Sequence, residues 1–140
     1  MERSLLYVSQ QSLSSLNREQ AIEEIVAEAR SHNALRGITG ALACTQDHFA
    51  QLLEGATEEL DDLMDRIERD HRHVDVTIIQ VTPILCRRLP GWSMAYSGPS
   101  TYVARQIVPL IGGTTRMNSM RIERLVSLLV GLASPVSAET

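Results

Sequence analysis

Apolar positions along this chain switch between two spacings, every second residue and every third or fourth, and the switches mark out its elements. Residues 5–9 read as a first strand. Asn17 follows as the expected N-cap of a helix, with Gln20 three residues on completing a capping box. Ile22, Ile25, Ala29 and then His32 or Asn33 share one face of that helix, so its apolar stripe turns polar in the last turn before Arg36-Gly37 ends it. Residues 38–45 and 49–53 form two strand-like runs joined by Gln46-Asp47-His48, the pattern of a hairpin. Thr57 is expected to cap a second helix. Its first turns carry Glu58, Glu59, Asp61 and Asp62, and Leu60, Leu63, Met64 and Ile67 make its core face. Residues 76–81 are a β-branched strand extending toward Cys86, and after Leu89-Pro90-Gly91 the segment 92–97 reads as a short fifth strand.

The order β-α-β-β-α-β-β predicts a ferredoxin-like α+β sandwich, a five-stranded mixed sheet with two helices on one face. From Gly98 the pattern turns helical, breaks at Gly112-Gly113, and resumes over 117–132. That last helix is apolar almost all round, through Ile122, Leu125, Val126, Leu128, Leu129 and Val130. Helices of this kind are buried, so it is expected to cover the bare sheet face or a partner subunit. The chain thus divides into a compact unit, 1–97, and a C-terminal helical extension, 98–140, which caps the sheet or meets a partner.

Composition narrows the function. A chain of 140 residues and 15.5 kDa makes one domain with a real core. A net charge of −4 and few aromatics argue against direct nucleic-acid binding. Cys44 and Cys86 lie in apolar strand-like runs far apart in sequence, and read as buried free thiols. No signal peptide opens the sequence and its longest apolar run, 125–133, is too short to span a bilayer, so a cytoplasmic protein with no membrane contact is expected. His32, His71 and His73 have no metal-site spacing.

Gln51 is the residue least easily dismissed. It lies in His48-Phe49-Ala50-Gln51-Leu52-Leu53-Glu54-Gly55, where strand alternation puts it on one face with Phe49 and Leu53. A carboxamide there costs stability unless both its ends find partners. Tyr7, within Leu5-Leu6-Tyr7-Val8-Ser9, and Asn33, at the polar end of the helical stripe, have similar settings. Three uncharged hydrogen-bonding groups so placed suggest a planar, polar-edged ligand. Taken singly, Tyr7 reads as a strand tyrosine, Asn33 as a helix-end residue and Trp92 as core; the joint order is what weighs against that.

Tyr7-Val8-Ser9, His32-Asn33 followed by Gly37-Ile38-Thr39-Gly40, the Gln51 stretch, Arg69-Asp70-His71-Arg72-His73 and Trp92-Ser93-Met94 occur in that order. Together they closely resemble the BLUF family, blue-light sensors that use FAD, over roughly residues 3–97. The resemblance implies a non-covalently bound FAD, with FMN as a possible substitute, its ring lying between the two helices in the 1–97 unit. It implies that Asn33 hydrogen-bonds the ring's carbonyl edge, that Ile25, Leu42 and Phe49 pack on the ring, and that His32 lies beside it. Asp70, Arg72 and His73 would sit near the ribityl chain and phosphate, where guanidinium suits phosphate oxygens. Tyr7 and Gln51 would be the photochemical pair: a neutral phenol gives up an electron and then its proton through an amide with an acceptor at one tip and a donor at the other. Trp92 and Met94, which share a face on a regular strand, would relay the signal together with Ser9.

The resulting expectation is a photoreceptor without an attached catalytic domain, which signals to a separate protein or through a change of assembly; a homodimer or higher homo-oligomer is expected. Two rivals come from other classes. One is a ferredoxin-like regulator that binds a small metabolite, the other a flavin-dependent reductase, disfavoured because no nicotinamide fingerprint or catalytic cysteine-histidine arrangement is present.

Overall fold

A computed structural model describes residues 1–12, 16–96 and 119–133. Over these the chain forms β1 (Glu2–Gln11), α1 (Arg18–Arg36), β2 (Thr39–Cys44), β3 (His48–Ala56), α2 (Thr57–Arg69), β4 (His73–Pro83) and α3 (Ser119–Gly131). The sheet runs in the order β2-β3-β1-β4, and every neighbouring pair is antiparallel. Period-two alternation sorts its side chains into two layers. Leu5, Tyr7, Leu42, Phe49 and Leu53 pack under α1 and α2, with Ile22, Ile25 and Val26 from α1 and Leu60, Leu63, Met64 and Ile67 from α2. Leu6, Ala41, Ala43, Ala50 and Leu52 face the other way and are covered by Leu125, Val126 and Leu129 of α3. The last helix therefore closes the bare sheet face, the first of the two roles expected of it. Small residues on β2 and β3 let it lie close to the sheet.

The expected five-stranded mixed sheet is corrected to four antiparallel strands. Residues 92–96 meet β2 through one isolated parallel bridge, Ala41 to Ala95. Gly40 N–H donates to the Trp92 carbonyl at 2.9 Å, Ala95 N–H to the Gly40 carbonyl at 2.8 Å and Leu42 N–H to the Ala95 carbonyl at 2.9 Å. The carbonyls between them go elsewhere: Ser93 accepts from Asn33 Nδ2 at 2.8 Å, and Met94 from Arg30 Nε at 3.1 Å. Regular parallel pairing would give the Ser93 carbonyl to Gly40 N–H, and a ladder cannot continue through an acceptor already taken by a helix. Gly40 is required here, since a Cβ would fall 2.9 Å from the Leu52 carbonyl oxygen and 3.3 Å from Met94 Cε. Ser97 and the Gly98-to-Asn118 stretch, with its Gly112-Gly113 break, lie outside the described residues.

Three local expectations also change. Asn17 precedes α1, but its side chain makes no capping bond, because its backbone is not in the extended conformation that aims a cap at the helix. Ala56 takes the N-cap position of α2, and Thr57 Oγ1 bonds the Met1 carbonyl instead. Cys86 is exposed beyond the end of β4 and Cys44 is only partly buried, although both are free thiols. Gly37 closes α1 as expected, in the left-handed conformation at φ 69° that favours glycine.

Candidate functional site

A cleft of about 620 Å³, counted to its open mouth, lies between α1 and α2 above β3. Ile25, Ala29, His32 and Asn33 form one wall, Leu63, Arg66 and Ile67 the other. Gln51 lies at its floor, and Asp70, Arg72, His73 and Glu28 at one end. Helical spacing explains the first wall: residues 25, 29 and 33 are four apart and lie along one ridge, with residues 28 and 32 on the next.

The floor holds a directed hydrogen-bond chain. Tyr7, opposite Gln51 in the β1–β3 register, donates its phenol proton to Gln51 Oε1. Gln51 Nε2 in turn donates to Met94 Sδ at 3.5 Å. Tyr7 is fully buried, and burial pushes its phenol well above the usual tyrosine value, so it stays protonated as a donor. The partly buried Cys44 thiol is likewise pushed up, to about 12, and is no thiolate.

Asn33 is also fully buried. Its Nδ2 is spent on the Ser93 carbonyl, while its Oδ1, an acceptor, has no partner. Neither ring nitrogen of His32 has one. Buried polar atoms without partners are uncommon in folded chains, so three on two adjacent residues in one wall of one cleft mark a place for a ligand with hydrogen-bonding edges. A flavin fits: its pyrimidine edge alternates N–H and carbonyl groups, matching the free acceptor of Asn33 and the amide of Gln51.

At the far end Arg72 is held by two carboxylates, Asp70 through Nε and Nη2 and Glu28 through Nη2 at 2.8 Å. Partial burial works against Asp70 ionising, but the guanidinium and backbone N–H of Arg72 outweigh it and hold that carboxyl below its ordinary value. His73 Nδ1 lies 2.9 Å from Ser9 Oγ, and its ring packs on Phe49 with centroids 4.7 Å apart. Burial lowers its pKa and favours the neutral imidazole. This contact depends on an irregularity between β1 and β4, where Val8 faces Thr77 and Gln10 faces Val74, while Asp75 adopts φ 53°.

Of the residues singled out in the sequence, Ile25, His32, Asn33, Gln51, Asp70, Arg72 and His73 line the cleft, and Tyr7 and Met94 join it through Gln51. Leu42 and Phe49 are fully buried in the core beneath and do not line it. Ser9 bonds His73 and is not grouped with Trp92 and Met94. Those two do not share a face: Met94 is buried against Gln51, whereas Trp92 is 40% exposed on the α3 side, near Val130. Sequence reasoning missed Glu28, Arg66 and Arg30. Arg66 was legible from its spacing between Leu63 and Ile67, and it forms no ion pair among the described residues.

The sequence profile of the family described as "BLUF: Sensors of blue-light using FAD" matches residues 3–95. The chain belongs to the BLUF family. BLUF proteins sense blue light with FAD, and that sensing is the function of residues 3–95. The chain is 34% identical over 94 residues to the photoactivated adenylate cyclase subunit beta of Euglena gracilis, covering 65% of this chain and 10% of that one. It thus spans about a tenth of the length of the curated relatives it matches. Among solved structures it is similar to the photo-activated state of BlsA, with 27% identity, a TM-score of 0.79 and coverage of 93% of this chain and 95% of that one. It is also similar to the dark state of the BLUF protein BlrB, with 27% identity, a TM-score of 0.67 and coverage of 99% and 97%. A further neighbour is described as Klebsiella pneumoniae BlrP1 with FMN and cyclic diGMP, at 34% identity, a TM-score of 0.61 and coverage of 67% and 25%. The BLUF fold seen here is an antiparallel four-stranded sheet with helices on both faces. No helix among the described residues is long and apolar enough to cross a membrane.

Proposed function

We propose that this BLUF chain holds FAD, or FMN in its place, between α1 and α2 and signals by rearranging the hydrogen bonds of Gln51. The observation that carries this reading is the chain from Tyr7 through Gln51 to Met94 at the floor of a cleft where Asn33 Oδ1 has no partner. Asn33 and His32 would meet the ring's polar edge, and Ile25 would pack on its face, with Leu42 and Phe49 supporting the floor. Arg72, framed by Asp70 and beside His73, would take the anionic end; Arg66 stands ready on the same side.

When bound, the flavin supplies absorption of blue light and a strong one-electron oxidant in its excited state. Tyr7 would be the donor, and its proton would pass to Gln51 Oε1, to which it is already bonded. The amide is held unequally. A phenol gripping Oε1 is a firm partner, whereas a thioether is a weak acceptor for Nε2, so a turn of the amide sacrifices little at Met94. Trp92 and Met94 would carry that change to the segment beside β2 and on to α3. Ser9 would enter through His73, at the opposite end of the cleft.

The signal would pass to a separate cytoplasmic protein, or through a homodimer or higher assembly, with residues 1–140 serving as the sensor and not as the catalyst. The cyclase relatives, many times longer, suggest how the same sensor serves an attached effector. The test is the visible spectrum of purified protein in darkness and under blue light. A flavin spectrum that shifts slightly red and recovers in the dark is expected, with the shift lost in Gln51→Leu while flavin is retained. A normal reversible shift in Gln51→Leu would overturn the assignment of the switch.

A further inference from the structure

α1 does more than wall the cleft. Its Arg30 and Asn33, three residues apart and so on one helix face, grip two consecutive carbonyls of the segment ahead of Tyr96. Arg30 Nε donates to Met94 O at 3.1 Å and Asn33 Nδ2 to Ser93 O at 2.8 Å. With Ala41 and Ala95 bridged in parallel, regular pairing would give the Ser93 carbonyl to Gly40 N–H. Gly40 instead takes the Trp92 carbonyl at 2.9 Å, one residue out of step. The segment therefore carries one extra residue, a bulge, and a bulge re-aims side chains.

The consequence falls on the two residues beside the switch. In unbulged register Trp92 and Met94 would both point to the helix layer, because residues two apart share a face. With the bulge, only Met94 does, buried against Gln51 Nε2, while Trp92 stays half-exposed on the α3 side. Asn33 is committed to the cleft wall, but Arg30 is exposed, lines no part of the cleft and makes no ion pair among the described residues.

We propose that Arg30 is a positioning residue of the light switch: its bond to the Met94 carbonyl, which faces away from β2, anchors the bulged segment to α1 beside the Asn33–Ser93 bond, and so keeps Met94 on Gln51 and Trp92 outside. Its relevance to light rests on the reading of Gln51 above; its effect on Trp92 does not.

The chain contains a single tryptophan, so emission excited beyond the absorption of its tyrosines reports Trp92 alone. The experiment uses the whole 140-residue chain loaded with FAD and kept dark, as wild type, Arg30→Met and Arg30→Lys. Methionine keeps an apolar stem and removes the donor; lysine restores a donor. In Arg30→Met the emission should move to the blue and acrylamide quenching should fall, with the inward population rising roughly fivefold, the effect of one partly exposed hydrogen bond. Arg30→Lys should return both toward wild type. Trp92 emission and quenching unchanged in Arg30→Met, at wild-type flavin content, would overturn the proposal, as would Arg30→Lys behaving like Arg30→Met. Repeating the pair in a Gln51→Leu background separates the two readings. The Arg30→Met effect on Trp92 should persist there in the dark, whereas a surviving red shift in Gln51→Leu would sink the switch assignment alone.

Discussion

At the scale of single residues, the site works by withholding partners. Asn33 spends its amide nitrogen on the chain and keeps its oxygen free, and His32 keeps both ring nitrogens free, so the cleft is already shaped for a ligand with donor and acceptor edges. His73 works in the opposite sense, with Nδ1 tied to Ser9 and the ring packed on Phe49. Burial depresses its pKa below the ordinary 6.5, so below that value the unfolded chain binds more protons than the folded one. Stability should therefore fall as pH drops from about 7 toward 5 and be insensitive to His73 above that range. His32 is lowered as well, chiefly by burial, and adds in the same sense. Thermal unfolding followed across this window should show a shallower pH slope for His73→Phe than for wild type; equal slopes would remove His73 from the account.

At the scale of elements, α3 and the segment before it matter most. Leu125 and Leu129 are fully buried against the small residues of β2 and β3, one helical turn apart on one stripe. Leu125→Ala should cost about 2–5 kcal/mol, since a gap against a rigid sheet closes poorly. Denaturant unfolding measures it, and a loss near zero would mean that α3 is not part of the cooperative core. The connection entering the switch segment has its own clamp. Glu54 is buried on the α3 side, where its carboxylate accepts from Thr39 Oγ1, Arg88 N–H and Leu89 N–H. Arg87 adds bonds to Glu2 and to the Gly37 carbonyl. The chain is thereby fixed on both sides of its bulge, by Glu54 behind and by Arg30 and Asn33 ahead.

For the molecule as a whole, the sheet separates two layers that the switch must connect. The cleft and Gln51 belong to the α1–α2 layer; Trp92 and α3 belong to the other, and the irregular segment 92–96 runs between them at the β2 edge. Ligand and fold should also be linked by mass action. FAD at a hundredfold its Kd should raise unfolding free energy by about 2.7 kcal/mol if it binds only the folded chain. The thermal midpoint should climb with FAD concentration, and less steeply for Asn33→Ala; a midpoint indifferent to FAD would place the ligand elsewhere.

The amino-acid pattern alone was enough for the strands and helices, for the shared face of Phe49, Gln51 and Leu53, and for the buried stripe of the last helix, because each follows from residues within a few positions of one another. The ordered motifs from Tyr7 to Met94 carried the family in the same way. What only the tertiary structure decided are contests for a single partner between distant residues. The Ser93 carbonyl could bond β2 or α1, and α1 prevails, which turns Trp92 outward and leaves four strands where five were expected. Ser9 meets His73 because β1 and β4 slip in register. Glu54 is buried, and its carboxylate accepts from two backbone N–H groups more than thirty positions away. Periodicity records which face a residue takes; it holds no record of which of two distant groups captures a hydrogen bond.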